Sequence, residues 1–474
     1  MKHMRWYDYI TINLYWFGLN MSTGSMTPII LPILVQRFVP ENVKNTFYGD
    51  LRFYGLMVAL LVQPMMGMLS DRCASPWGKR RPFILVGTLL DLVFIAAIGL
   101  ATGYWMLFVA TLCLQVASNI AHGALQGLIP DLVPEDQRGR MSGAKALMEL
   151  LPVVIVAFTV AKLVGAGNMW AALIVVMGSL LVTMLTTLIT VHEEPLRERA
   201  TAPLWGPLVR IALLTLAFLV IVQGFRALTV GLSKLISGSV VTLLLTVGTM
   251  GLIAVVVSIV AGVWVSIWLG VGSEIRLYPS FAWWVVSRLF FLTAVGSLQG
   301  FFLYFLQDVL HISNAASATG NLMMVVGLFI LASALPSGFL ADRFGRKLLL
   351  IIVGVGASLG TLLLILSSNL TMVYVSGCII GLSAGSFMTT SWAMGTDLAP
   401  RKESGRFLGI SNLAGAGAGA VGAGIGGPLA DYFNAQQPGL GYLVIFGIYG
   451  ACCLLSAIVL AWVRESYKGR AAVN

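Results

Sequence analysis

Charge is what this sequence has least of. Only 10% of its 474 residues are Asp, Glu, Lys or Arg, against about a quarter in soluble domains. Hydrophobic residues make up 58% and the mean hydropathy is +0.91. That excludes an ordinary soluble enzyme, and equally a disordered or fibrous chain. An outer-membrane barrel is disfavoured, because the apolar stretches are long runs and not short alternating ones. Cysteine is scarce too. Cys73, Cys113, Cys378, Cys452 and Cys453 lack metal-ligand spacing, so neither a disulfide framework nor a metal site is expected. No Gly-x-x-x-x-Gly-Lys-Ser/Thr motif, phosphate-cradling loop or nucleophile–base pair occurs. An enzyme, a resident cofactor and nucleotide-driven transport are therefore not expected.

What the sequence has instead is length in its apolar runs. A hydrocarbon core about 30 Å thick needs roughly 20 apolar residues per helix. Such segments fall near 8–37, 47–70, 82–102, 104–130, 140–165, 169–191, 208–232, 239–270, 281–308, 316–341, 347–367, 371–396, 405–430 and 440–463. The first is too long, and lacks the small-residue cleavage site, for a removable signal peptide. The net charge of +10 sorts by position. Lys2, Arg5, Arg72, Lys79, Arg80, Arg81, Arg138, Arg140, Arg197 and Arg199 share one side with Arg276, Arg343, Arg346, Lys347, Arg401, Lys402, Arg406, Arg464, Lys468 and Arg470. Only Arg37, Lys44, Arg52, Lys162, Arg226 and Lys234 lie toward the other. The positive-inside rule then predicts a cell (plasma or inner) membrane protein with both termini cytoplasmic. The basic excess is a topology signal, not a nucleic-acid footprint.

The chain also repeats itself. Gly67-Met68-Leu69-Ser70-Asp71-Arg72 and then Gly78-Lys79-Arg80-Arg81 recur as Gly338-Phe339-Leu340-Ala341-Asp342-Arg343 and Gly345-Arg346-Lys347. Asp131-Leu132-Val133-Pro134 with Gly139-Arg140 recurs as Asp397-Leu398-Ala399-Pro400 with Gly405-Arg406. The second pair is offset by 266 residues, and the first by 271 at the aspartate and 267 at the following glycine. Two motifs at one offset predict parallel repeats about an axis along the membrane normal. The expected architecture is an all-α polytopic membrane protein of two six-helix bundles related by a pseudo-twofold axis. Two inserted helices bring the total to fourteen. The expected domains are an N-terminal bundle over 1–195, a cytoplasmic linker with the inserted helices over 196–279, and a C-terminal bundle over 280–474.

On these motifs the chain resembles the major facilitator superfamily over nearly all its length. The resemblance implies two bundles that rock about a central cavity, with the Asp-Arg loops at the gate. Asp71, Arg72, Arg80, Arg81, Asp131, Arg140, Asp342, Arg343, Arg346, Asp397 and Arg406 are the gating candidates. Carboxylates at helix ends can pair with arginines or a helix N-terminus. Gln63-Pro64-Met65-Met66-Gly67 and Ser75-Pro76-Trp77-Gly78-Lys79-Arg80-Arg81-Pro82-Phe83-Ile84-Leu85 narrow it. They are similar to the glycoside-pentoside-hexuronide:cation symporters, and equally to plant-type sucrose transporters. The latter show the Ser-Asp-Arg-Cys of residues 70–73, and Asn119, His122, Gly123, Gln126 and Asp131 fall where they place Asn, Gln, Gly, Arg and Asp. The departures carry weight. Melibiose-type permeases build a sodium site from carboxylates where this chain has Ala59, Gln63 and His122. Sodium wants oxygen ligands, so that coupling does not follow. Gln126 in place of Arg removes the case for sucrose itself.

Ionisable residues at membrane depth usually mark a pathway. His122 shares a helical face with Gln115, Asn119 and Gln126, and its ordinary pKa of about 6.5 suits proton coupling; a satisfied core histidine is the competing reading. Lys145 and Glu149 at i, i+4 fit a local salt bridge better than a coupling site. Asp91 fits a structural hydrogen bond as well as a functional role. Arg288 suits an anionic group, or snorkels to inner headgroups. Asn13, Asn20, Ser22, Thr23, Ser25 and Thr27, with Gln299 and Tyr304, suit a hydroxylated solute, and Trp16, Phe301, Phe302 and Trp392 suit stacking on it. Interhelical packing would use the same residues. The substrate and coupling candidates are thus His122, Asn119, Gln126, Gln115, Asn20, Asp91, Glu149, Arg288 and Gln299. The expected function is proton-linked or facilitative transport of a small polar solute, a sugar or glycoside first. A carrier of amphipathic or apolar compounds is the alternative, and so is bacteriochlorophyll delivery or light-harvesting assembly, which some proteins resembling this loop perform. The expected partners are a small-molecule solute, protons and the bilayer, with the protein a monomer and no nucleic acid bound.

Overall fold

The computed structural model describes residues 4–134, 137–193, 205–233, 235–270, 275, 277–399 and 404–464, with side chains described except at 269–270, 404–414 and 416. Lys2, Arg197, Arg199, Lys234, Arg276, Arg401, Lys402, Lys468 and Arg470, and the side chain of Arg406, lie outside the described residues. All regular structure among the described residues is helical. Thirteen helices are long and apolar enough to cross a membrane. In order they are α1 (Trp6–Phe38), α2 (Glu41–Ser70), α3 (Arg81–Gly99), α4 (Tyr104–Leu132), α5 (Arg138–Gly165), α6 (Met169–Thr190), α7 (Trp205–Ser233), α8 (Val240–Trp268), α9 (Pro279–Asp308), α10 (Ala315–Phe344), α11 (Arg346–Ile365) and α12 (Leu370–Leu398), with α14 (Leu440–Trp462) last. The glycine-rich helix α13 (Ser404–Gln436) completes the fourteen.

Local chemistry shapes these helices. In a bilayer each backbone N–H and C=O must find a partner within the protein. α1 is not continuous: it widens to a π-turn over Met26–Ile30, where Pro28 and Pro32 supply no N–H. The Tyr48 hydroxyl of α2 donates to the Thr27 carbonyl there at 2.6 Å, replacing a lost rung. An interior proline recurs close to one matched place of the repeat, Pro64 in α2 with Pro336 in α10, one residue out of register; Pro152 in α5 and Pro428 in α13 stand 276 residues apart, ten more than the local offset of 266. The matching extends to the backbone. Gly78 and Gly345, each leading into the helix after an Asp-Arg loop, have φ of +103° and +94°, a region costly for any other residue.

The chain groups into two compact units. The first comprises residues 1–215 and 302–324. Its spans meet through small residues, as apolar helices must where lipid offers no contrast. A Cβ on Gly123 of α4 would stand 2.5 Å from the Gln63 carbonyl oxygen and 2.9 Å from the Gly67 nitrogen of α2. A Cβ on Gly87 of α3 would meet the Ala121 nitrogen at 2.7 Å. In the same unit the buried Lys44 ammonium lies 2.7 Å from Asp308 and 5.0 Å from the centroid of the Tyr304 ring, and the Tyr304 hydroxyl donates to the Pro32 carbonyl at 2.7 Å. The second unit comprises 216–301 and 325–474. Gly381 and Gly385 of α12 admit the backbone of α10 there. One ring helps attach the helices inserted between the repeats: buried Phe218 of α7 sits in notches left by Gly262 of α8 and Gly417 of α13.

Candidate functional site

Within the first unit α1, α4 and α5 enclose a cavity of about 220 Å³. Trp16, Leu19, Asn20 and Thr23 of α1 line it with Ser118, His122 and Gln126 of α4 and Lys145 and Glu149 of α5. Trp16 organises the wall. The His122 ring meets it edge-on at 5.1 Å between centroids, and Lys145 Nζ stands 3.9 Å from the indole centroid, a cation–π contact. Lys145 also pairs with Glu149 at 3.4 Å. The Nε2 atoms of Gln126 and His122 lie 3.3 Å apart. One wall therefore presents an aromatic face, and around it stand an acceptor carboxylate, an ammonium, an imidazole and two amides. That set can donate to and accept from several hydroxyls at once while an apolar ring face lies on the indole.

The structure brings together four of the expected residues, His122, Gln126, Asn20 and Glu149, and adds Lys145, whose sequence reading was a local pair. Gln115 and Asn119 are not among the residues that line the cavity, although Ser118 between them is. Asn119 Nδ2 donates to the Gln115 carbonyl at 2.8 Å, so these two answer each other and do not line the cavity. Asp91, buried in α3, has neither carboxyl oxygen hydrogen-bonded among the described residues, near the bonded pair Tyr15 and Thr88 of α1 and α3. Arg288 and half-buried Gln299 lie on the part of α9 belonging to the second unit.

The loop candidates form a separate constellation at the basic end of each unit. Buried Arg80 is the hub of the first. Its Nε donates to Asp131 at 3.0 Å, its Nη atoms reach Asp71 and Ser70, and Lys79 joins Asp131 at 2.9 Å. Arg81 reaches the Leu188 carbonyl. In the second unit Arg346 pairs with Asp397 and donates to the Ala393 carbonyl at 2.6 Å. Arg80 with Asp131 and Arg346 with Asp397 stand at the same 266-residue offset, so the repeat is one of contacts as well as letters. Arg140, Asp342 and Arg343 lie exposed, Arg72 half-buried.

Sequence reasoning missed Glu193. Its Oε2 accepts the backbone N–H of Arg80 at 2.8 Å and of Arg81 at 3.3 Å, capping α3 from a residue just beyond α6. Burial pushes its carboxyl above the ordinary 4.5, with the two N–H bonds opposing. The available signal was a carboxylate placed next to a basic helix end, but nothing in the sequence pairs residue 193 with residue 80.

The sequence profile of the Major Facilitator Superfamily matches residues 16–304 and 284–474. Among curated proteins, the human proton-associated sugar transporter A is 39% identical over 79 residues, 16% of this chain and 10% of that one. A sucrose transport protein of Arabidopsis thaliana is 26% identical over 151 residues, 26% of this chain and 23% of that one. The chain spans between 10% and 23% of the length of such curated relatives. Among solved structures, a POT family transporter in complex with 5-aminolevulinic acid superposes with a TM-score of 0.68 at 14% identity, covering 96% of this chain and 95% of that one. That likeness is one of fold.

Proposed function

The chain belongs to the Major Facilitator Superfamily, and from that premise we infer that it carries a small hydroxylated solute, a sugar or glycoside, across the cell membrane by alternating access. It is a multi-pass membrane transport protein. The observation that carries the substrate class is the Trp16 cavity. An indole face flanked by an imidazole, amides and a Lys145–Glu149 pair suits a molecule with one apolar ring face and a rim of hydroxyls. Binding would loosen the Lys145–Glu149 pair, as Glu149 turns to accept from hydroxyls. His122, facing Gln126 in the same wall, carries the coupling proton. Both termini lie in the cytoplasm by the charge of the loops. The Arg80–Asp131 and Arg346–Asp397 clusters then hold the cytoplasmic helix ends, and release of these contacts is the gating step. The domain organisation proposed with it is a bundle over 1–195, an inserted pair over 196–279 and a second bundle over 280–474.

The test is uptake of a labelled sugar and glycoside panel into proteoliposomes, with and without an inward proton gradient, beside His122→Gln. Gradient-driven uptake that the variant loses while exchange persists supports coupling through His122. Uptake indifferent to the gradient leaves facilitation. No uptake of any member of the panel sinks the sugar reading.

A further inference from the structure

The geometry points to a second binding site, confined to the second unit, in which Arg288 with Trp284, Ser391 and Trp392 takes an oxyanion: the carboxylate or phosphate of a solute or of a lipid headgroup. The inference stands apart from the hydroxylated-solute reading, since none of its residues lines the Trp16 cavity.

Arg288 lies nine residues into the thirty of α9, about 14 Å along the helix axis at 1.5 Å per residue. It is only 8% exposed. Among the described residues no carboxylate stands within ion-pairing reach of it. Its hydrogen bond among the described residues is Nη1 to Ser391 Oγ at 3.4 Å, long for a charged donor, and Nε is buried with no partner there. A buried ion without a counter-ion is penalised by several kcal/mol. A charge kept at membrane depth despite that marks a pathway or a site.

The surroundings are built to hold the guanidinium without consuming its donors. Trp284 lies one turn before it on α9 and Trp392 on α12, their ring centroids 5.7 Å and 5.4 Å from Cζ. Aromatic faces offset part of the charge and accept none of the in-plane N–H groups. Trp284 is itself pinned, its indole Nε1 donating to the Ser391 carbonyl at 3.1 Å and to Ser391 Oγ at 3.2 Å. Its ring fits because residue 395 is glycine; a Cβ there would collide with it. Two turns farther along α9 from Trp284, Phe291 stacks on Phe387 at 3.7 Å and seals the α9–α12 contact. What remains is a planar fork whose Nε has no partner among the described residues and whose Nη1 is held only by the long bond to Ser391. That matches a carboxylate or phosphate, which fills two donors side by side, better than a spherical halide.

The test uses purified full-length protein in phosphatidylcholine nanodiscs, titrated with glucose, glucuronate, glucose 6-phosphate and inorganic phosphate. Tryptophan fluorescence and thermal unfolding are read. At least one oxyanion is expected to bind about tenfold or more tighter than glucose, with Arg288→Gln abolishing the difference and Arg288→Lys, which keeps charge but not fork, recovering part of it. If a headgroup is the source, phosphatidylglycerol in the disc should stabilise the protein and blunt the soluble effect, again only while Arg288 is present. Arg288→Met without anion is expected to unfold at or above the wild-type temperature, because it removes an unpaired buried charge. The proposal is overturned if no oxyanion or anionic lipid has an Arg288-dependent effect, if Arg288→Gln keeps the full discrimination, or if Arg288→Met alone unfolds the protein.

Discussion

The two repeat-related ion pairs allow one substitution to be made twice in unequal surroundings. In the first unit the Arg80 side chain is 5% exposed and Asp131 23%. In the second, Arg346 is 27% and Asp397 65% exposed. Asp131→Asn removes the charge shared by Arg80 at 3.0 Å and Lys79 at 2.9 Å. Stripping the partner from a buried ion costs about 3–5 kcal/mol; the half-exposed Asp71 still pairs with Arg80, which brings the expected loss nearer about 2–3 kcal/mol. Asp397→Asn breaks an exposed pair, for which about 0–1 kcal/mol is the usual range. The assay is unfolding in mixed micelles followed by fluorescence, for both variants and for Arg80→Gln alone and with Asp131→Asn. A coupling energy above about 1 kcal/mol is expected for the Arg80–Asp131 cycle. Equal losses at the two aspartates, or a larger one at Asp397, would refute the argument that burial and not the motif decides the energy.

Three further outcomes are expected. The raised Glu193 carboxyl means that the unfolded chain ionises first: a penalty on the fold is absent in acid, grows as pH rises from the ordinary 4.5 through the raised folded value, and is constant above it. Glu193→Gln should therefore flatten stability against pH across that window without lowering stability at neutral pH, as pH-dependent melting would reveal. Gly123→Ala should lose about 1–3 kcal/mol from forced separation of α2 and α4, whereas Gly139→Ala, with nothing within 4 Å, should be neutral or slightly stabilising in the same melts. Trp16→Leu should weaken binding of a transported sugar about tenfold or more through loss of the stacking face, with Trp16→Phe in between; calorimetric titration that finds Trp16→Leu unchanged would remove the indole from the site.

Much of the fold was legible because it is written in composition. Runs of apolar residues fix the spans, and the paired Asp-Arg and Asp-x-x-Pro motifs fix the repeat, since loop glycines such as Gly78 and Gly345 are demanded by φ, a local property. What was not legible depended on which helix faces which. Periodicity put Gln115, Asn119, His122 and Gln126 near one face of α4, but only His122 and Gln126 line the cavity, with Ser118 beside them; Asn119 bonds the Gln115 carbonyl, and the Gln115 side chain lies against Gly55 of α2. Lys145 paired with Glu149 as its spacing suggests, yet its closeness to Trp16 arises from α1 packing on α5, more than a hundred residues apart. Glu193 reaches Arg80 over a comparable distance. Span lengths foretold α1 but not its π-turn, because a proline's consequence depends on whether a neighbour such as Tyr48 supplies the missing donor.

Four of the interior prolines have a consequence for solvent. Each leaves the carbonyl four residues earlier without its helical N–H: Leu60 before Pro64, Met148 before Pro152, Ala332 before Pro336 and Gly424 before Pro428. In water such a carbonyl would be hydrated at once; between acyl chains it has no such recourse. Where no neighbouring side chain donates to them, as Tyr48 does to Thr27, these oxygens are standing acceptors, and the first water molecules to penetrate a span should lodge against them. Each half thus holds two such hydration stations, though only the Pro64 and Pro336 stations nearly correspond, in a chain whose composition otherwise excludes water.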